Sequence, residues 1–181
     1  DAIHFIDSRP KQRYRRPGPY FRALINQSHH RVCLAMAYFL PLTGVLRSMR
    51  RAARRGATVE IVVPAKSDVR LVEFATRHMY DKLLKQGCRI FERQDQMLHS
   101  KAMVVDSRWS VVGSCNLDPR SFLINYEFFA IIQSEEFSNR LLEILEFEKT
   151  HSIRVCPDSH KKRGWLSKVA QRLAWSFRRW L

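Results

Sequence analysis

His99, Ser100 and Lys101 are followed by Asp106, then by the run Gly113-Ser114-Cys115-Asn116-Leu117-Asp118-Pro119-Arg120-Ser121, and then by Glu127. Side chains two residues apart on an extended segment project to the same side. His99 and Lys101 can therefore address one anion together. Chemistry at a phosphodiester uses such a pair: the imidazole attacks phosphorus or carries a proton, and the ammonium neutralises charge on the phosphoryl oxygens. Gly113 and Ser114 predict a tight turn at a strand end. That turn offers backbone N–H groups, the Ser114 hydroxyl and the Asn116 amide as further phosphate donors. Glu127, on a following strand, can accept the other imidazole N–H and fix the ring's tautomer. The expected catalytic set is thus His99, Lys101, Asp106 and Glu127, with Lys101, Ser114 and Asn116 binding phosphate. Asp106 enters through the spacing HxKxxxxD, although its position suits stabilising the turn better than taking part in the chemistry.

Nothing in the sequence calls for a metal or another cofactor. Cys33, Cys88, Cys115 and Cys156 are widely spaced with no CxxC pair, which argues against a metal site or a disulfide framework and for reduced thiols facing the cytosol.

These residues need a scaffold, and the pattern before them supplies one. Val32 to Phe39 is a nearly continuous apolar run, as expected of a strand covered on both faces. Pro41 to Arg55 reads as a helix stopped at Gly56, and Val69 to Gln86 as a longer helix stopped at Gly87. Val59 to Val63 and Cys88 to Phe91 are short strands between and after them. A briefly alternating Ile3–Ile6, a loop over Arg9–Pro19 and a short helix over Pro19–Ser28 come before. In the second half, Ala102–Val105 and Trp109–Val112 form a hairpin around Asp106-Ser107-Arg108. Tyr126–Ile132 is a further strand and Glu135–Lys149 a helix. The order predicts an α/β domain whose mixed, mostly parallel sheet is flanked by helices. With 181 residues, 45% of them hydrophobic, the chain can bury one core and is too short to expect two.

The run from His99 to Glu127 resembles the HKD motif of the phospholipase D superfamily, with its trailing GSxNxDxRS and acidic residue. The alternation before it is similar to one lobe of that fold. The resemblance implies a metal-independent, two-step transfer. One histidine forms a phosphohistidine, and a second protonates the leaving group and then activates the acceptor. By the same resemblance Lys101 and Asn116 hold phosphate, Glu127 orients His99, and Ser114 is the weakest match. The family plan needs two such motifs and this chain has one, since none of the other histidines has the required lysine and aspartate after it. The expected partner is a second HKD lobe, either an upstream segment or a second copy. The start at Asp1, not Met, favours the former, in which His99 would be the proton-transfer histidine.

A net charge of +15 calls for a polyanionic partner. Arg47, Arg50, Arg51, Arg54 and Arg55 crowd one helix face, and Arg9, Lys11, Arg13, Arg15 and Arg16 crowd a loop. The segment 157–181 separates from the lobe at 1–156 as a basic tail and a helix, Trp165–Leu181. On that helix Leu166, Val169, Ala170, Leu173, Phe177, Trp180 and Leu181 share a face, with Lys168, Arg172, Arg178 and Arg179 opposite or beside it. A basic amphipathic helix of this kind suits an anionic membrane interface. Trp175 falls on the polar face. No stretch reaches the ~20 apolar residues of a spanning helix.

Within the superfamily, Ser121-Phe122-Leu123-Ile124-Asn125-Tyr126-Glu127 resembles bacterial cardiolipin synthases, the B type most. That implies phosphatidyl transfer between phosphatidylglycerol molecules at the cytosol face of the inner membrane, with the enzyme attached peripherally. The alternatives are a phosphodiester nuclease, whose basic surface would hold nucleic acid although Tyr14 alone is placed for stacking, and a catalytically silent membrane-binding module.

Overall fold

The apolar run at Val32 becomes β2 (Arg31–Met36), almost wholly buried, because helices cover both faces of the sheet at its centre. A computed structural model describes residues 1–9 and 16–178. Lys11, Arg13, Tyr14, Arg15, Arg179, Trp180 and Leu181 lie outside the described residues. The other strands are β1 (Ala2–Ser8), β3 (Thr58–Pro64), β4 (Arg89–Arg93), β5 (Lys101–Val105), β6 (Trp109–Gly113), β7 (Glu127–Gln133) and β8 (Ser152–Arg154). The helices are α1 (Pro17–Gln27), α2 (Thr43–Arg54), α3 (Arg70–Lys85), α4 (Pro119–Leu123), α5 (Glu135–Thr150), α6 (Pro157–Lys161) and α7 (Trp165–Ser176).

The eight strands form one sheet in the order β1-β7-β6-β5-β2-β3-β4-β8. Only β2–β3 and β3–β4 are parallel, each crossing over through a helix, and the other five pairs are antiparallel. The mixed α/β sheet flanked by helices is as expected, but the balance within it is antiparallel and not mostly parallel. The reason is local. In the second half of the chain β5 and β6 are joined by a tight turn and β7 returns beside β6 after α4, so neighbours pair antiparallel, and β1 and β8 add antiparallel strands at the two edges. One face carries α1, α2 and α3 over Leu34, Ile61, Met103 and Phe129. The other is covered by α5 through Leu145 over Cys33, Val62 and Val104.

Helix α7 is part of this body. Ala174 and Trp175 join the core on the α3 side, Trp175 stacks on His78 at 5.5 Å, and Arg163 just before the helix pairs with Asp81 of α3 at 2.7 Å. The docking face is thus the one that carries Gln171, Ala174 and Trp175, which is why a tryptophan sits opposite the apolar stripe. Leu166, Val169, Leu173 and Phe177 of that stripe stay exposed. Among the described residues no helix is long and apolar enough to cross a membrane.

The β5–β6 turn is anchored by Asp106. Its carboxylate accepts the backbone N–H groups of His29 (2.6 Å), His30 (2.9 Å) and Arg31 (2.7 Å), so it ties the hairpin to the start of β2. Partial burial works to raise its pKa, and the three donors outweigh burial and hold it below the ordinary carboxylate value. A carboxyl depressed in this way stabilises the fold above its unfolded-state pKa, and the contribution is lost as pH falls through the folded-state value. Asp106→Asn should therefore lower the free energy of unfolding by about 1–3 kcal/mol at neutral pH, measured by urea denaturation, and the gap to the wild type should close in acid. A gap that stays constant into strong acid would show that the charge contributes nothing.

Candidate active site

The antiparallel registers bring several strand ends to one edge. Lys101 opens β5 opposite Met36 at the end of β2, Gly113 closes β6 opposite Phe129, and Glu127 opens β7 opposite Ser8 at the end of β1. His99 is exposed in the loop that leads into β5. Ser100 continues the ladder, its carbonyl accepting the Ala37 N–H at 2.9 Å. The strand ends that meet at this edge carry His99, Lys101, Ser114, Asn116 and Glu127 together.

Asp106 is not among them. It lies at the other end of β5, five residue steps from Lys101 and so about 16 Å away at about 3.3 Å per step. Its place in the catalytic set is corrected here: the carboxylate holds backbone and cannot reach the chemistry.

Gly113 owes its identity to close approach, not to a turn. A Cβ there would lie 2.4 Å from the Phe128 carbonyl oxygen and 2.5 Å from the Phe129 Cα, so only glycine lets β6 run this close to β7. The Ser114 N–H is spent on the Phe128 carbonyl at 2.9 Å, and its hydroxyl accepts the Phe128 N–H at 3.0 Å. That hydroxyl donates its one proton to Glu127. Ser114 thus serves the carboxylate, and neither its N–H nor its hydroxyl proton is left for a phosphate in this arrangement.

Glu127 is 6% exposed and is held by Ser114 and by the Asn125 amide, whose Nδ2 donates at 3.2 Å. No hydrogen bond joins Glu127 to His99 in this lobe. Asn116 is oriented unambiguously. Its Oδ1 accepts the Tyr38 N–H at 3.2 Å, and a backbone N–H can only donate, so Nδ2 is the end of the amide left to donate elsewhere. The Lys101 ammonium donates to the His99 carbonyl at 2.8 Å. Partial burial lowers its pKa, and Glu127, Asp118 and Asp68 oppose that as the nearby negative charges.

Three of the groups around this edge carry sequence signals that the motif reading passed over. Asp118 N-caps α4, accepting the Ser121 N–H at 2.7 Å, and Asp-Pro-x-Ser is legible as a helix start. Burial, with Glu127 nearby, pushes it up to about 6 against the pull of that N–H. Asn125 stands two residues before Glu127 and so beside it. Tyr38 lies next to the end of the apolar run and donates from its hydroxyl to Asp68 at 2.8 Å; burial first, then that carboxylate, raises its pKa to about 12. Among the described residues no group of three or more His, Cys, Asp or Glu side chains is arranged to hold a metal ion.

Comparison with known proteins agrees with this geometry. Residues 21–149 match a family described as cardiolipin synthase, PLD-like domain. Cardiolipin synthase B of Salmonella typhi is 33% identical over 161 residues, covering 88% of this chain and 39% of the relative. Cardiolipin synthase A of Proteus mirabilis is 32% identical over 154 residues, covering 84% and 32%. The chain therefore spans only 32–39% of the length of these relatives. In fold it is similar to the phospholipase D family member Nuc of Salmonella typhimurium (TM-score 0.72, 15% identity, 85% of this chain and 97% of that one). It is equally similar to the phosphatidylserine synthase of Haemophilus influenzae (TM-score 0.72, 16% identity, 98% and 45%). By sequence match, fold and the arrangement at the sheet edge, the chain belongs to the phospholipase D superfamily, as a PLD-like domain of the cardiolipin synthase kind.

Proposed function

We propose that this chain supplies one of two half-sites of a metal-independent phosphatidyltransferase that makes cardiolipin from phosphatidylglycerol. The observation that carries the reading is the edge itself. The exposed His99 comes to one sheet edge with Lys101 and Asn116, at neighbouring strand ends, and among the described residues no second histidine joins them there. In the proposed reaction one imidazole attacks phosphorus, a P–N bond forms, and the P–O bond to the headgroup glycerol breaks. The leaving oxygen takes a proton from the other imidazole. That second imidazole then deprotonates the acceptor hydroxyl, which displaces the first and regenerates it. Lys101 and Asn116 neutralise the phosphoryl oxygens in both steps. The names of the sequence relatives, cardiolipin synthases, support cardiolipin as the product, and phosphatidylglycerol as the donor is what the family resemblance implies.

Two features of the lobe fit a second half. Its Glu127 is held by Ser114 and Asn125, and among the described residues the His99 ring has no hydrogen-bond partner, so we place the orientation of the imidazole in the assembled pair. Beside the same edge, Phe5 of β1 and Phe128 of β7 stack at 5.6 Å while more than half exposed, on the sheet face away from α1–α3. An apolar surface there suits the second lobe or a second copy. His99→Asn in the assembled enzyme should abolish transfer of labelled phosphatidylglycerol, by a hundredfold or more on the order of general acid–base contributions, without changing the circular dichroism melt. Retained turnover would remove the assignment.

The substrate reading brings a membrane surface with it. The stripe Leu166, Val169, Leu173 and Phe177 faces outward on a helix fixed by its other side, with Lys168 and Arg172 exposed beside it. We place this stripe in the interface of an anionic, cytosol-facing bacterial membrane, where each basic residue contributes about 1 kcal/mol. Replacing Leu166, Leu173 and Phe177 by serine leaves the docking face untouched. It should cut co-sedimentation with phosphatidylglycerol vesicles severalfold, with any DNA binding unchanged. Vesicle binding equal to wild type would make the stripe irrelevant to recruitment.

A further inference from the structure

Beside the catalytic edge a cavity of about 290 Å³ opens between the first turns of α1 and α2 and the short helix α4. Its floor is apolar, built by Val45, Phe122 and Leu123, and Arg16, Arg22 and Arg47 stand around it. It is stitched to the site by two elements. Leu40, after Tyr38, donates its N–H to the Leu117 carbonyl at 2.7 Å, and α4 begins directly after Asn116-Leu117-Asp118.

Charge in this cavity is uncompensated. Among the described residues none of the three arginines has a carboxylate partner. The Nε of Arg16 is buried with no hydrogen-bond acceptor, an arrangement that costs free energy until an acceptor arrives. Neither α1 nor α2 has an acidic residue in its first turn or a side-chain cap, so the two positive helix ends add to the field. Gly44 permits the arrangement: a Cβ there would meet the Arg22 side chain at 2.9 Å. Three guanidinium groups over a hydrocarbon floor match a phosphate that carries its own apolar neighbour. A polynucleotide would ask instead for an extended track with stacking faces.

We propose that this cavity is a second anionic-phospholipid site, which holds a headgroup phosphate beside the lipid that reacts at His99. The proposal rests on the lipid reading above, in which the acceptor is itself an anionic phospholipid, and gives the phosphate of that second lipid a position away from His99. The test is binding of dihexanoyl phosphatidylglycerol, below its micellar concentration, to the ¹⁵N-labelled 181-residue chain carrying His99→Asn. The Gly18 and Gly44 amides should shift saturably, and Arg16→Gln with Arg47→Gln should weaken the apparent Kd about tenfold or more, a change of about 1.4 kcal/mol. Arg47 is exposed, so Arg47→Gln alone gives the same test, with a smaller expected change, if the double variant does not fold. The proposal is overturned if these amides do not saturate, if inorganic phosphate binds as tightly as the lipid, or if a short single-stranded DNA shifts the same amides at lower concentration. No turnover is read, so failure here leaves the His99 assignment standing, and loss of that assignment leaves this binding measurable.

Discussion

A carboxylate taken almost wholly out of water must be met by donors or lose its charge, and Glu127 is such a group. Its two oxygens are met by the Ser114 hydroxyl and the Asn125 amide, with the Lys101 ammonium close by. Meeting it forces β6 to end within reach of β7, and that approach allows nothing larger than the hydrogen of Gly113. Once the two strands are so placed, the chain after Gly113 runs across the end of β2. There Asn116 takes the Tyr38 N–H on its Oδ1, which leaves its Nδ2 donors for another acceptor. The arrangement that holds the buried acid therefore also fixes the amide that we propose binds phosphate.

The same edge explains the uneven distribution of charge. Asp118 and Glu127 are buried and Asp68 sits near the surface, and all three bear on Lys101, while His99 stands apart in solvent. On the reading proposed above, such an edge is electrostatically prepared but mechanistically incomplete. A general acid and a nucleophile cannot be one imidazole in one step, and the ring that is present has no partner to fix its tautomer. The uncovered aromatic stack at Phe5 and Phe128 lies beside the same edge. Incompleteness of the chemistry and incompleteness of the surface thus occur together, which is what a lobe built to be joined would show.

Much of this was legible in the residues. The spacing of His99, Lys101, Asn116 and Glu127 placed them on neighbouring strand ends, and they meet there. The buried strands and the glycine-stopped helices α2 and α3 followed from apolar runs and breakers. What escaped had physical causes. Asp106 shares the motif's spacing but not its location, because five extended residues carry it to the far end of the sheet. The roles of Gly113 and Ser114 depend on β7, a partner distant in sequence, so a local turn reading misjudged both. The edge strands β1 and β8 pair antiparallel through long-range contacts that no local pattern encodes. Helix α7 showed its two faces correctly, but only the packing of Trp175 on His78 reveals which one docks.

The central claim is that this lobe holds one histidine of a pair. Phosphatidyl transfer should be measured across a dilution series of the chain, alongside sedimentation velocity to report its assembly, with and without an added second HKD lobe. The account predicts that the dilute monomer is silent, and that turnover per chain rises with the assembled fraction or appears when the second lobe is supplied. Full activity in a proven monomer would contradict it.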